Sequence, residues 1–216
     1  MKIGILWDLD GTLLDTLGDL TDAVNHSLAR FGCPARTLDE VRRFVGNGAA
    51  RLIRLSLPGK DTDPDWQAVL ADYQVYYAAH AQIKTAPYPG ILEALAQVGK
   101  QFPMAVVSNK PDRAVKLLCS DYFGTLQARG ESDDCPRKPA PDMLHKAMAQ
   151  LGVDTCIYVG DSEVDVLTAK NAGVPCLSVT WGFRDEQTLV EAGAAHLCRT
   201  PADLPACLAA IAATME

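Results

Sequence analysis

Residues 8–16 read DLDGTLLDT, and they follow directly on the apolar run IGILW at 3–7. A continuous apolar run of that length, closed by a glycine-bearing turn, reads as a strand buried on both faces. Such a strand should not end in two carboxylates one residue apart. Asp8 and Asp10 repel each other, and each loses hydration beside a core. The remainder of the chain indicates what offsets that cost.

Working outward, strand-like runs lie at Met104–Val107, Cys156–Val159 and Cys176–Val179, with weaker ones near Thr125–Ala128 and His196–Cys198. Between them, Ile91–Val98, Ala114–Leu118, Asp142–Leu151, Val164–Ala172 and Leu204–Ala213 carry apolar residues at helical spacing. This alternation predicts an α/β fold, a Rossmann-like parallel sheet core with helices on both faces. One stretch breaks it. From Leu17 to about Thr85 no strand is evident: Leu17, Leu20, Val24, Leu28 and Phe31 keep helical spacing, and Thr37 with Glu40 forms a capping box. Trp66, Val69, Leu70, Tyr73, Tyr76 and Tyr77 continue a further helical face. The expected organisation is a helical cap domain, 17–85, inserted after the first strand of a core domain made from 1–16 and 86–216. APYPG at 86–90 serves as a hinge-like linker.

The chain has 216 residues, 48% hydrophobic and 22% charged, which is the composition of a folded globular protein. Its formal net charge of -7 argues against nucleic acid or an anionic membrane as partner, since both need a positive patch. A small phosphorylated molecule is permitted, because its charge can be met locally. The N-terminus reads as a first strand and not as a signal peptide, and no stretch approaches the roughly 18 apolar residues of a membrane span. Seven scattered cysteines never form C-x-x-C, so neither a disulfide framework nor a zinc site is indicated, and a cytoplasmic setting is expected.

Ligands of an open parallel sheet bind beyond the carboxyl ends of its strands. There the sequence places Asp8 and Asp10 after the first strand, Ser108, Asn109 and Lys110 after MAVV, and Asp161, Ser162 and Asp165 after CIYVG. Lys138 stands between prolines in PRKPAPD. Each has an ordinary reading when taken alone: a turn at Asp10-Gly11, a helix cap at Ser108 or Asp161, a solvated cation at Lys138. Together, at successive strand ends, they point to a site. Gathered carboxylates repel unless a cation joins them, and oxygen ligands without His or Cys select Mg²⁺ over zinc. A hydroxyl, an amide and an ammonium opposite that metal suit the oxygens of a phosphoryl group.

With SNK, RKPAPD and GDSEVD in order behind DLDGTLLDT, the chain resembles the haloacid dehalogenase superfamily of aspartate-nucleophile phosphatases over essentially its whole length. FVGNGAARLIR, YPG and TWGFRDE are similar to the phosphoglycolate phosphatase-like branch. The resemblance implies Mg²⁺-dependent hydrolysis of a small phosphomonoester through an aspartyl phosphate. Asp8 would be the nucleophile and a metal ligand. Asp10 would protonate the leaving alcohol and then activate water, its backbone carbonyl also on the metal. Asp161 would ligate the metal, and Asp165 would act beside it or through water. Thr12, Ser108, Asn109 and Lys138 would hold the phosphoryl oxygens. In the cap, Asn47 and Arg51 of the 46–52 stretch GNGAARL would close over the substrate. Apart from the resemblance, Arg51 and Arg54 are cations able to meet a substrate carboxylate, although basic residues on such a helix are more often solvated.

Two other functions fit parts of the pattern. A phosphomutase of the β-phosphoglucomutase type shares the nucleophile, although it typically has a His after DT, where this chain has LGDL. A phospho-receiver module shares acids, Mg²⁺, Ser or Thr and Lys, but needs no insert. Dehalogenation is disfavoured because Asp10 supplies an acid that it does not need. The expected partner is a small phosphorylated metabolite and the expected assembly a monomer or homodimer; phosphoglycolate, a sugar phosphate, a nucleotide and pyrophosphate all stay open as substrates.

Overall fold

The structure, a computed structural model, describes residues 1–59, 64–132 and 134–215. In chain order it contains β1 (Ile3–Trp7), β2 (Leu14–Asp15), α1 (Leu17–Arg30), α2 (Leu38–Phe44), α3 (Gly48–Ser56), α4 (Trp66–His80), β3 (Ala86–Pro87) and α5 (Ile91–Val98). There follow β4 (Met104–Pro111), α6 (Asp112–Phe123), β5 (Gln127–Glu131), α7 (Asp142–Leu151), β6 (Thr155–Gly160), α8 (Glu163–Ala172), β7 (Cys176–Val179), α9 (Glu186–Glu191), β8 (His196–Cys198), a 3-10 turn at Pro201–Asp203 and α10 (Leu204–Ala213). The chain divides into two units, Met1–Leu14 with Pro87–Glu216, and Asp15–Ala86.

The first unit is built on a six-stranded sheet of order β5-β4-β1-β6-β7-β8, with every neighbouring pair parallel. β1 lies between β4 and β6 and is buried along its whole length, so it reads as an unbroken apolar run with no polar alternation. Its side chains still alternate between two cores. Ile3, Ile5 and Trp7 pack with residues of α5, α6 and α10, whereas Leu6 packs with Met143 and Leu144 of α7 and Ala169 of α8. The parallel α/β fold expected from the alternation is therefore the one observed.

Two details differ from the sequence reading. β4 extends to Pro111, but its register against β5 shifts after Val107 and resumes only at Pro111. Ser108, Asn109 and Lys110 occupy that irregularity, released from regular pairing at the strand end. β5 covers Gln127–Glu131, later than the apolar run near Thr125 suggests.

The second unit holds α1 to α4, and among the described residues no strand lies between them. Leu20, Val24 and Leu28 of α1 and Val69, Tyr73 and Tyr77 of α4 are its buried apolar rows. Thr37 and Glu40 make the reciprocal capping box at the start of α2. Within this unit the buried Asp19 carboxylate accepts from the backbone N–H groups of Ile83, Lys84 and Thr85 and from the Thr85 hydroxyl. Asp19→Ala leaves those donors without their acceptor and should lower unfolding free energy by about 3 kcal/mol, read as a shifted urea midpoint at constant m-value.

Candidate active site

β1 delivers Asp8 to the carboxyl edge of the sheet, where its backbone N–H donates to Val159 O of β6 at 2.8 Å. The chain then turns sharply, with the N–H groups of Leu13 and Leu14 both donating to Leu9 O. Gly11 adopts φ +83° in that turn, and a Cβ there would collide with the Asp161 carboxylate, so only glycine fits. The turn aims Thr12 Oγ1 at Asp161 Oδ1, 3.1 Å away. Asp161 Oδ2 accepts from the Phe183 N–H at 2.7 Å. Gly182 makes room for this carboxylate, since a Cβ there would also strike it, and Trp181 Nε1 holds the turn by donating to Thr12 O.

Lys138 reaches the same place from the loop before α7. The Asn109 side chain fastens it: Nδ2 donates to Lys138 O at 3.0 Å while Lys138 N donates to Asn109 Oδ1 at 2.9 Å. The buried ammonium donates to Tyr158 Oη at 2.7 Å and Asp165 Oδ1 at 2.8 Å, and lies 2.9 Å from Asp8 Oδ1. Asp165 is wholly buried. Its Oδ2 accepts from the backbone N–H and hydroxyl of Ser162, capping α8, while Oδ1 receives Lys138 and Tyr158. Asp165 is thus neither a solvated first-turn acid nor a carboxylate with idle oxygens. Asp10 is held separately, with both its oxygens accepting from Lys110 Nζ at 2.8 and 2.9 Å.

Carboxylate oxygens of Asp8, Asp161 and Asp165 lie within 4.8 Å of one another. When all three carboxylates are ionised they outnumber the one ammonium and leave this buried cluster two charges negative. Burial is the chief reason the Asp8 carboxyl is pushed up to about 7; Lys138 pulls it down, and Asp165 and Asp10 raise it further. Burial also lifts Asp161 well above the usual carboxylate range, with Asp165 and Asp8 adding to it. For Lys138, burial lowers the value but the Asp165 and Asp8 carboxylates outweigh it, so the group stays firmly protonated. Asp8 Oδ1 is buried and without an aligned hydrogen bond. A carboxylate excess carried wholly on oxygen, whose ionisation burial opposes until a cation joins it, fits a hard divalent cation.

Among the expected site residues, Asp8, Asp10, Thr12, Ser108, Asn109, Lys138 and Asp161 all belong to the first unit. Asn47 and Arg51 belong to the helical unit, Asn47 as the N-cap of α3 and Arg51, exposed, within that helix. The Arg54 guanidinium lies over the Trp66 ring at 3.8 Å. His26 and His80 sandwich Tyr76 with centroid separations of 3.8 and 3.9 Å, a packing role in keeping with their lack of any shared motif. Sequence reasoning gave no role to Lys110, Tyr158 or the Phe183 N–H. Lys110 had a signal, a cation at a strand end beside Ser108 and Asn109; the other two had none, as their partners lie 20 and 22 residues away.

The family model of the haloacid dehalogenase-like hydrolases matches residues 5–179. Phosphoglycolate phosphatase 1 of Pseudomonas aeruginosa is 36% identical over 202 residues, covering 87% of this chain and 72% of its own. Phosphoglycolate phosphatase of Rhodobacter capsulatus is 34% identical over 194 residues, covering 85% of this chain and 87% of its own. A solved structure from Lactobacillus delbrueckii subsp. bulgaricus is 36% identical and superposes with a TM-score of 0.89 over 96% of this chain and 99% of that one. The motif order, the sheet that carries it and these relatives together place the chain in the haloacid dehalogenase-like hydrolase family, in its phosphoglycolate phosphatase-like branch.

Proposed function

We propose that the chain is a Mg²⁺-dependent phosphatase that hydrolyses a small phosphomonoester, phosphoglycolate or a close analogue, through an aspartyl phosphate on Asp8. The observation that carries this reading is Asp8 itself: a buried carboxylate at the end of the central strand, beside the Lys138 ammonium, with an oxygen lacking an aligned donor. Asp8 attacks phosphorus, the ester P–O bond breaks, and its electron pair stays on the leaving oxygen. Asp10 gives that oxygen a proton and later takes one from the water that cleaves the acyl phosphate. Lys138 and Ser108 meet the phosphoryl oxygens. Thr12 steadies Asp161, and Asn109 contributes by gripping the Lys138 backbone.

Asp8, Asp161 and the Asp10 backbone carbonyl would hold the ion, which neutralises the cluster and the incoming phosphate when bound. Asp165, already engaged by Lys138, Tyr158 and Ser162, fits an outer role that keeps Lys138 in place. The helical unit, through Asn47 and Arg51, selects the ester, acting as a cap. The setting is a cytoplasm, and the protein is a monomer or homodimer. Among the described residues no helix is long and apolar enough to cross a membrane.

The test is phosphate release from a panel of phosphorylated metabolites. Chelator should abolish turnover and Mg²⁺ restore it, with 2-phosphoglycolate among the better substrates; full activity in excess chelator, or none on any ester with Mg²⁺ present, overturns the reading.

A further inference from the structure

Lys110 is a buried ammonium that the proposed chemistry does not use. Burying such a group is costly unless it is paired. The chain meets that cost across a separation of 100 residues, bringing the end of β4 to the loop after β1 so that Nζ bonds both oxygens of Asp10. The register shift between Val107 and Pro111 releases this segment of β4 to do so. Asp10 is only partly buried, and its side chain has two torsions that allow several carboxyl orientations. A pair of bonds to both oxygens fixes one.

We propose that Lys110 is a positioning residue for the reaction, acting through Asp10: it holds the carboxyl in the single orientation from which a proton reaches the leaving oxygen. The proposal rests on the reading of Asp10 as that acid. As the P–O bond breaks, the electron pair goes to the ester oxygen and the proton moves from the Asp10 carboxyl to it. Misplacing a proton donor by an ångström slows formation of the aspartyl phosphate only where the leaving group needs the proton, and kcat/KM, which ends at release of the alcohol, reads that step apart from the water step common to every ester. An alkyl phosphate needs it. p-Nitrophenyl phosphate, whose leaving group departs as a stable anion, scarcely does.

The experiment compares wild type, Lys110→Met, Asp10→Asn and the double variant on 2-phosphoglycolate and p-nitrophenyl phosphate with Mg²⁺. Lys110→Met should lower kcat/KM on phosphoglycolate about tenfold or more, and should lower kcat/KM of the nitrophenyl ester far less; the losses compared below are in kcat/KM. In the Asp10→Asn background the same change should add less than about twofold, because a residue acting through Asp10 has nothing left to act on. Lys110→Arg, which can still give two parallel N–H bonds, should recover most of the rate. Lys110→Gln, which keeps donors without the charge, should fall between and serves if the Met variant is insoluble. Equal losses on both esters mark a merely structural role and overturn the proposal. A further large loss in the Asp10→Asn background does so too, placing Lys110 on the substrate directly. Asp10→Asn that slows both esters equally overturns the acid reading and the proposal together, whereas ester discrimination in Asp10→Asn but not in Lys110→Met overturns the proposal alone.

Discussion

Asp8→Asn should abolish turnover of every phosphomonoester and, in metal-free protein at pH 8, raise the unfolding temperature. The amide is nearly isosteric with the carboxylate but cannot form an acyl phosphate, so the whole covalent route is lost rather than slowed; removal of a nucleophile costs on the order of 10⁶ in kcat where it has been dissected. The stability change follows from the same burial. The folded-state value of Asp8 is raised from 3.8 to about 7, so at pH 8 the folded chain carries an ionised group that it accommodates less well than the unfolded chain does. An amide removes that penalty, and with it one of three mutually repelling carboxylates. Mg²⁺ should reverse the order, since a site that keeps the Asp8 carboxylate binds it more tightly than one with an amide there, and tighter binding stabilises more. Two thermal scans of each protein, with chelator and with Mg²⁺, check this; an Asn variant that retains near-normal turnover excludes the covalent mechanism.

The parts of this site legible in the sequence were those set by local chain direction. An apolar run has to end at the edge of the sheet, so the polar residues after IGILW, MAVV and CIYVG could be gathered without knowing any contact. The sheet was legible for the same reason: β1 is an unbroken apolar run, Cys156–Val159 is one within β6, and β7 is interrupted only by Ser178. What local pattern could not carry was pairing across long separations. Nothing near Asp10 announces Lys110, and nothing near Tyr158 announces that its hydroxyl would accept from Lys138. Asp165 is the intermediate case. Its capping bond to Ser162 is local and follows from the S-x-x-D spacing, whereas its bond to Lys138 is not local. Helix α9, with six residues, is too short to display an apolar period, and the β4 register shift, where Gly130 of β5 lies against the Lys110 and Asp112 backbone, has no local signal in the sequence.

Lys138→Met should lower kcat by about 10²–10³ and destabilise the fold in a manner that depends on pH. The loop itself has little reason to move, because Asn109 holds the backbone of residue 138 and not its side chain. The loss is therefore one of charge: Asp165 and Tyr158 lose a donor, and Asp8 loses the cation that pulls its carboxyl down. Removing one partner of a buried pair costs about 3–5 kcal/mol because the other is left uncompensated. Protonation relieves that cost. The unfolded Asp8 carboxyl releases its proton near 3.8, while the folded one holds it to about 7 even in the native protein, and higher once Lys138 is gone. Between those values the folded state binds more protons than the unfolded state, so stability falls as pH rises through the window. Below about pH 7 the folded Asp8 is protonated in both proteins and both lose stability alike as pH rises, so the gap between wild type and variant should stay near its pH 5 value up to about pH 7 and widen above it in metal-free protein, followed by urea unfolding at each pH. A gap that stays constant from pH 5 to 8 would mean that Lys138 contributes packing and not charge, and would remove the electrostatic basis for its place at the phosphoryl group.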